Sequence, residues 1–320
     1  MKDILRAILY STAVILLLAV AVLAGRRHEE TRTFEAKEVL DVNTVSGDLV
    51  VRVGESAEIT VELEHSVRPA DNYEPRFQER GSVLELSERF FGSTNGGSYW
   101  TVTVPKGTRI RFSTASGSLT VEGLDADVDA DLASGDIDMF DCTGNFDINT
   151  ASGSFDLDSC SGIFDMNTAS GNIRATRCSG DFDLSVASGS ISARDCRGEF
   201  DLSTASGSVR ASDVIIEGRS SFSSASGSAY VTLAESSEYD LLVSSASGKA
   251  ILDYAGHEIK GYFEFVARER NGRIDSPFDF DEEDEFRRHG DWYMRKSFAL
   301  GGEEPEIRVE TASGTAALRK

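Results

Sequence analysis

The tripeptide Ala-Ser-Gly returns every 18 residues between Ala115 and Gly207, without an insertion or a deletion. A fixed period of this length is typical of solenoids, in which each repeat buries its apolar face against its neighbours. Beyond this stretch the spacing lengthens and the tripeptide returns three more times. We predict that its glycine marks a structural turn in each coil, because glycine takes positive φ without steric cost. The nine glycines are Gly117, Gly135, Gly153, Gly171, Gly189, Gly207, Gly227, Gly248 and Gly314.

Apolar residues recur in phase with this tripeptide. One column of the aligned repeats contains Phe146, Phe164, Phe182 and Phe200, and another contains Ile137, Phe155, Ile173 and Ile191. Alternate residues of a strand face the same side, and the residues between these columns are mainly polar. We therefore predict an all-β, single-domain parallel β-solenoid, a two-sheet β-helix or β-roll with 18-residue coils, preceded by an N-terminal hydrophobic helix. Each coil is expected to contain two strands of about five residues.

The first 28 residues differ from the rest of the chain. An apolar run from Ala7 to Ala24 has basic residues on both sides. Such a run is near the lower limit for crossing a bilayer and long for the core of a signal peptide. We expect a signal anchor with a transmembrane helix over about 4–24, which would make the chain a single-pass protein of the cell membrane with an exported solenoid. A cleaved signal peptide, giving a secreted or periplasmic protein, is the alternative.

The remaining chain is expected to form one solenoid with irregular ends. Terminal units of solenoids are atypical because they shield the end of the core from water. The expected organisation is a signal anchor or signal peptide at 1–28, a linker at 29–33 and the solenoid at 34–320. Within the solenoid we expect an N-terminal cap and irregular coils at 34–112, regular coils at 113–252, and an aromatic-rich insertion with a C-terminal cap at 253–320.

Four cysteines follow the same period, namely Cys142, Cys160, Cys178 and Cys196. The equivalent position is Leu124 one coil earlier and Val214 one coil later, which indicates a buried corner where free cysteine packs as a small hydrophobic residue. Neighbouring cysteines would lie about 4.8 Å apart, within the Cα range of a disulfide, so disulfides in an exported protein are the alternative. A line of thiolates does not surround zinc tetrahedrally. We expect a core cysteine ladder without a metal.

Five aspartates form an outward column, consisting of Asp129, Asp147, Asp165, Asp183 and Asp201. Like charges stacked at strand spacing repel one another, so this column costs stability. Its expected role is solubility and protection against lateral association of sheets. Calcium binding along the column is the alternative, because carboxylate oxygens are calcium ligands. The glycine-rich nonapeptide of calcium-binding β-rolls is absent from the sequence.

Composition and motifs argue against several classes of function. The net charge of −22 disfavours nucleic acid and anionic membrane surfaces as partners. The four histidines are scattered, and no Ser/His/Asp triad or metal-spaced motif is present. The short turns of the regular coils leave no room for the cleft of a polysaccharide-cleaving β-helix enzyme. We therefore predict a protein that is not an enzyme, has no catalytic residue and uses no cofactor.

Several stretches resemble a known family, namely 101–105 leading into 111–119, the Ser-Gly turns, 271–274, and 301–302 leading into 306–315. They are similar to a bacterial family of exported β-strand-repeat proteins of unknown function that are regarded as candidate adhesins. The resemblance covers 34–320. It implies a parallel β-solenoid at the cell envelope, without an established activity and without catalytic residues to carry over.

The expected function is that of a non-enzymatic cell-envelope protein that presents its β-solenoid as an adhesive or scaffolding surface. The alternatives are a membrane-anchored envelope-stress sensor or regulatory partner and a β-helix enzyme acting on polysaccharide. Expected partners are the membrane, through the N-terminal helix, and an envelope protein or glycan. We expect a monomer, because capped ends prevent end-to-end stacking. Binding is expected at the irregular segments 65–100 and 254–300 and at the outward faces.

Overall fold

The computed structural model describes residues 28–320, and nearly all of them are in β-strands or in the turns between strands. The predicted helix over 4–24 lies outside the described residues. Between residues 28 and 320, no helix is long and apolar enough to cross a membrane. The single helical element in this range is a one-turn 3-10 helix, Ala70–Asn72.

The strands are numbered in chain order. The N-terminal part contains β1 His28–Glu35, β2 Val39–Thr44, β3 Gly47–Val53, β4 Glu58–His65, β5 Tyr73–Arg80, β6 Val83–Phe90 and β7 Ser98–Val104. The regular part contains β8 Arg109–Thr114, β9 Leu119–Glu122, β10 Val128–Ser134, β11 Ile137–Phe140, β12 Thr143–Ser152, β13 Phe155–Asp158, β14 Ser161–Ser170, β15 Ile173–Thr176, β16 Ser179–Ser188, β17 Ile191–Arg194, β18 Arg197–Ser206, β19 Val209–Ile216, β20 Ser220–Ser226 and β21 Ala229–Leu233. The C-terminal part contains β22 Leu241–Asp253, β23 Gly261–Arg268, β24 Gly272–Asp275, β25 Glu282–Arg288, β26 Asp291–Leu300 and β27 Glu306–Arg319.

From β8 to β21 the chain alternates between two faces of a parallel solenoid. The even-numbered strands pair with one another and form the wide face, and the odd-numbered strands form the narrow face. The exception is the end of β19, which continues around the corner and pairs with the start of β18. Phe146 pairs with Phe164, and Ile137 pairs with Phe155, so that 18 residues along the chain are one step along the solenoid axis. The predicted all-β parallel solenoid is confirmed.

The strands of one coil are unequal in length. β12 has ten residues and β13 has four, where the sequence predicted about five in each. The long strand begins at the cysteine corner and continues through Ala-Ser, because backbone pairing extends beyond the apolar part of the strand at both ends. Gly144 pairs with Gly162 there, and Ser152 pairs with Ser170.

The core is a set of straight ladders along the axis. The rings of Phe164 and Phe182 stack with centroids 4.7 Å apart, and Phe200 follows at 4.9 Å. At the far end of the long strand, hydroxyl groups face the core, and most of them donate hydrogen bonds across coils, whereas the buried hydroxyl of Thr150 has no partner within residues 28–320. The hydroxyl of Thr168 donates to the carbonyl of Gly153 at 3.1 Å, which satisfies a polar group that is almost completely buried.

Both ends of the solenoid depart from chain order. The coil made by β2 and β3 lies between the coil made by β6 and β7 and the one made by β8 and β9. At the other end, β27 lies between β22 and the pair β23 and β24. The first coil of the chain, β2 and β3, is therefore internal and is covered by the later strands β6 and β7. The last strand, β27, is also internal and is covered by the earlier strands β23 and β24.

Aromatic clusters close the core at its two ends. Phe34 and Phe77 stack at 6.1 Å, and Phe77 tilts against the buried Trp100 at 5.6 Å. At the C-terminal end, Phe298 contacts four other aromatic rings within 6.0 Å of its centroid, those of Phe263, Phe265, Phe278 and Phe280. Large apolar rings thus replace the neighbouring coil that each terminal layer lacks.

Candidate functional site

The nine repeated glycines form one column at the corner after each wide-face strand. A Cβ built on Gly153 would lie 1.8 Å from the carbonyl oxygen of Gly135. Seven of the others meet the preceding glycine of the column at 1.7–2.0 Å, and the first, Gly117, meets the carbonyl oxygen of Gly47 at 2.1 Å. Three of them, Gly117, Gly153 and Gly248, lie outside the positive-φ range that favours glycine. Close stacking of successive backbones therefore excludes a side chain at this corner, in addition to any demand on φ.

The four cysteines are free and completely buried at the opposite corner. The Cys142 thiol donates hydrogen bonds to the carbonyl of Phe140 at 3.2 Å and to that of Val121 at 3.5 Å. A hydrogen bond with Cys160 and burial both raise the pKa of Cys142. A protonated thiol without access to solvent is suited to packing and not to nucleophilic chemistry.

The five aspartates form an exposed, in-register column along the wide face. None of them has a lysine or arginine ion-pair partner among residues 28–320, whereas Asp156 on the narrow face pairs with Arg174 at 2.9 Å. Burial raises the pKa of Asp183, and the flanking charges of Asp165 and Asp201 raise it further. The column therefore carries unbalanced negative charge.

The column does not form a cage for a cation. Over the described range, no group of three or more His, Cys, Asp or Glu side chains is placed to hold a metal ion. The carboxylates stand in a straight line at strand spacing, whereas calcium takes six to eight converging oxygen ligands. Calcium binding to the five aspartates stays a prediction, to be tested by calorimetric titration.

A groove runs along the wide face beside the aspartate column. Its floor is a column of small polar residues, with alanine methyl groups along one side. Their side chains bond to one another, with Asn167 donating to Asn149 at 3.3 Å and Ser185 lying 3.0 Å from Ser203. Eight coils contribute, so the groove is roughly 34 Å long at about 4.8 Å per coil. The polar column is Asp131, Asn149, Asn167, Ser185, Ser203, Ser223, Ser244 and Glu310.

The hairpin of β25 and β26 closes one end of this groove. Although β25 is three strands beyond β27 in the sheet, Arg288 of β25 lies 3.7 Å from Glu310 of β27. The hairpin therefore folds back over the wide face. It encloses a cavity of about 390 Å³ over the groove floor, walled by Arg288, His289 and Tyr293.

A second cavity of about 720 Å³ lies under the same hairpin, beside the groove. Phe286 lines it, and this ring stacks on Tyr293 at 5.8 Å with the guanidinium of Arg295 above it. We call the two cavities together the hairpin cleft. Each of the two cavities is in the usual size range for ligand-binding clefts of proteins.

The hairpin cleft has a negative charge balance. Arg308 and Arg288 both lie near Glu310, at 3.0 and 3.7 Å. Within residues 28–320, the remaining ionisable groups of the larger cavity have no ion-pair partner. They are one cation, Arg219, and four acids, Glu199, Asp201, Asp240 and Glu306. Both hydrogen-bond donors and acceptors therefore face the cleft, with acceptors in excess.

The N-terminal segment 65–100 contains a different polar cluster. The carboxylate of Glu88 accepts hydrogen bonds from the Tyr73 hydroxyl at 2.9 Å, the indole N–H of Trp100 at 3.2 Å, the backbone N–H of Val45 at 2.9 Å and the hydroxyl of Ser98. Burial raises the pKa of Tyr73, and so does the charge of Glu88. Because the acceptor positions of Glu88 are taken by protein groups, this cluster is a structural network.

The structure brings together two of the regions that the sequence singled out, the insertion 254–300 and the wide outward face. The groove floor was not identified from the sequence, although its uncharged polar residues recur with the 18-residue period. The glycines and cysteines lie at opposite corners of each coil, away from the groove floor.

A sequence profile of the Toastrack DUF4097 family matches residues 37–271, which is well over half of the chain. The chain belongs to this family. The resemblance to a β-strand-repeat family of unknown function is therefore confirmed. No protein in the curated set matches the chain.

Three solved structures are similar to the chain at low sequence identity. A candidate cell adhesion protein of Clostridium sporogenes has 8% identity and a TM-score of 0.23, with 92% of this chain and 99% of that one covered. A candidate lipid-binding protein of Parabacteroides distasonis has 10% identity and a TM-score of 0.38, with 91% and 96% covered. A candidate adhesin of Bacteroides fragilis has 12% identity and a TM-score of 0.34, with 92% and 97% covered.

Proposed function

We propose that the chain is a non-enzymatic cell-envelope protein that presents its solenoid as an adhesive or scaffolding surface, exported and held at the membrane by residues 4–24. The groove on the wide face carries this proposal. It is a long, rigid surface of outward hydrogen-bonding groups, and its backbone is held by in-register pairing in every coil. A preorganised surface of this kind loses little entropy on binding an extended partner.

The distribution of perturbed ionisable groups supports a binding role over a catalytic one. Catalytic sites collect shifted pKa values in one cleft. Here the shifted side chains are spread along the rod, from Tyr73 in the N-terminal cap to Asp183 in the regular coils and Tyr254 near the C-terminal end. None of these three lines the hairpin cleft. In the hairpin itself, the pKa of Asp284 is lowered and that of Arg295 is raised because the two form an exposed ion pair at 2.6 Å.

The test compares cells that make the full-length chain with cells that lack it. Retention of the cells on a surface coated with isolated envelope material is measured, and bound components are identified by cross-linking. An adhesive or scaffolding protein is expected to increase retention several-fold. Cross-linking to one membrane protein without a change in retention would favour the regulatory alternative, and turnover of a polymeric sugar would favour an enzyme.

A further inference from the structure

We propose that the groove and the hairpin cleft form one binding site for a linear glycan without acidic groups, lying parallel to the solenoid axis with one end under the hairpin. The inference rests on the proposed function, because it names the class of partner that the wide face would hold. Four observations carry it: the state of the backbone, the shape of the site, its charge and its aromatic wall.

The floor of the site has no spare backbone hydrogen-bonding groups. The strands beneath it, β18, β20, β22 and β27, are paired in parallel on both sides. An extended peptide that binds by strand addition needs an unpaired strand edge, which this floor does not offer. A ligand must therefore be bound by side-chain hydroxyl, amide, carboxylate and guanidinium groups. These are the groups that bind the hydroxyls of sugars.

The shape of the site fits a chain of repeating units. Polar side chains recur once per coil, at about 4.8 Å, along the whole groove. The column changes from asparagine to serine between Asn167 and Ser185 without losing its in-register pairing. The hairpin ends the groove on one side, so a linear polymer would enter from the open coils and finish beneath Tyr293 and His289.

The charge of the site excludes acidic polymers. The aspartate column, which has no ion-pair partner among the described residues, flanks the groove along five coils. In the larger cavity of the cleft, Asp201 of this column and three further unpaired acids face one unpaired cation, again among the described residues. A polyanion would be repelled along its length, whereas amino groups would be attracted. Among sugars without acidic groups, free amino sugars are therefore expected to bind most tightly.

The aromatic wall gives the site a stacking surface. Tyr293 and Phe286 fix one another in a stacked pair, and Tyr293 faces the groove floor. Ring faces of this kind pack against the C–H faces of sugars, while the surrounding polar groups bond the hydroxyls. The ring positions are held by the folded-back hairpin, so little ordering is required on binding.

The experiment measures binding of three hexasaccharides to the full-length chain by isothermal titration calorimetry. The probes are a hexamer of N-acetylglucosamine, its fully deacetylated form and a hexamer of galacturonic acid. We expect the deacetylated hexamer to bind at least tenfold more tightly than the acetylated one at low salt, and the acidic hexamer not to bind. Equal or tighter binding of the acidic hexamer, or no binding of any probe, would overturn the proposal.

Two pairs of variants locate the site. Ala187→Phe fills the groove, and Ser192→Phe places the same ring on the narrow face one strand later. Tyr293→Ala removes the aromatic wall, and Tyr293→Phe keeps it. We expect Ala187→Phe and Tyr293→Ala to weaken binding at least tenfold and the two controls to change it less than twofold. Equal effects within a pair would show that binding is elsewhere.

The outcomes separate this inference from the proposed function. If envelope material retains cells but no hexasaccharide binds, the adhesive role stands and the glycan inference fails. If the hexamers bind at the groove but retention is unchanged, the glycan site stands and the adhesive role fails.

Discussion

At the scale of single residues, the repeat is governed by contacts between coils more than by the conformation of each coil. Gly153 shows this, because its φ lies outside the range that favours glycine and yet a Cβ there would lie 1.8 Å from the carbonyl oxygen of Gly135. Gly123 is the opposite case, with a φ of +69° and open space around its Cβ position. The two glycines allow the steric and the conformational cost to be measured separately.

Gly153→Ala is expected to destabilise the solenoid by more than about 3 kcal/mol, because the coils must move apart to admit the methyl group. Gly123→Ala is expected to destabilise the protein by only about 1 kcal/mol, because positive φ is unfavourable for a residue with a Cβ. Chemical denaturation of both variants measures the two changes in the free energy of unfolding. A larger loss at Gly123 would mean that turn conformation governs the column.

Asp183→Asn is expected to stabilise the protein at pH 7 by about 0.5 kcal/mol, because it removes repulsion between directly opposite like charges. The folded-state pKa of Asp183 is raised, so ionisation destabilises the fold, and the penalty disappears as pH falls below the ordinary range of aspartate. Thermal unfolding of wild type and variant should therefore converge near pH 3. Asp156→Asn is the control. It relieves repulsion with Asp138 but also breaks the pair with Arg174, so its gain should be smaller than that at Asp183.

At the scale of elements, each coil turns through a left-handed residue just before the cysteine corner. Five non-glycine residues adopt φ of 53–56° there, namely Asp141, Ser159, Arg177, Asp195 and Asp213. The equivalent residue of the first regular coil is Gly123. This turn links each narrow-face strand to the next wide-face strand, and its cost is offset by hydrogen bonds such as that from the Asp195 N–H to the Ser212 carbonyl at 3.0 Å.

Asp195→Gly is expected to raise the free energy of unfolding by up to about 1 kcal/mol, because glycine adopts this conformation without the Cβ penalty. The matched control is Asp201→Gly, which lies in the middle of β18. The greater freedom of the unfolded chain costs about 0.5–1 kcal/mol there, and the loss of repulsion with Asp183 offsets part of it, so no net gain is expected. Both changes remove one negative charge. Urea denaturation distinguishes them, and a loss of stability at position 195 would contradict the strain argument.

At the scale of the whole molecule, the rod is finite because its edges are unsuited to pairing. Among the described strands, β25 is the last of the sheet at this end and pairs only with β26. Its sequence is strongly charged, and two of its four acids form ion pairs with β26, Glu283 with Lys296 at 2.8 Å and Asp284 with Arg295 at 2.6 Å. Charge on an edge strand discourages addition of a further strand from another molecule.

Replacing Glu283 and Glu285 together by valine is expected to cause concentration-dependent self-association, which the wild type, predicted to be a monomer, should not show. Sedimentation velocity at several protein concentrations, with wild type and variant in the same detergent, measures the self-association. The control replaces Asp183 and Asp201 by valine, which removes the same charge from strands that already have two neighbours. Association of the control to the same extent would assign the effect to hydrophobicity and not to the edge.

The amino-acid sequence by itself determined the regular coils. Their period, apolar ladders and corners follow from it because each residue of a coil meets its own counterpart one repeat away, as Phe146 meets Phe164. The repeat therefore specifies register, burial and the outward columns. Strand lengths were less well predicted, since pairing between backbones extends past the apolar residues.

Only the tertiary structure decided the arrangement of the ends. β27 inserts between β22 and β23, and Arg288 folds back to Glu310. Both contacts join segments that are not related by the 18-residue repeat. Such contacts depend on how aromatic side chains close the end of the core, which local patterning does not encode. The repeat thus specifies the groove floor, whereas the cleft at the end of the groove forms only because the hairpin folds over the wide face.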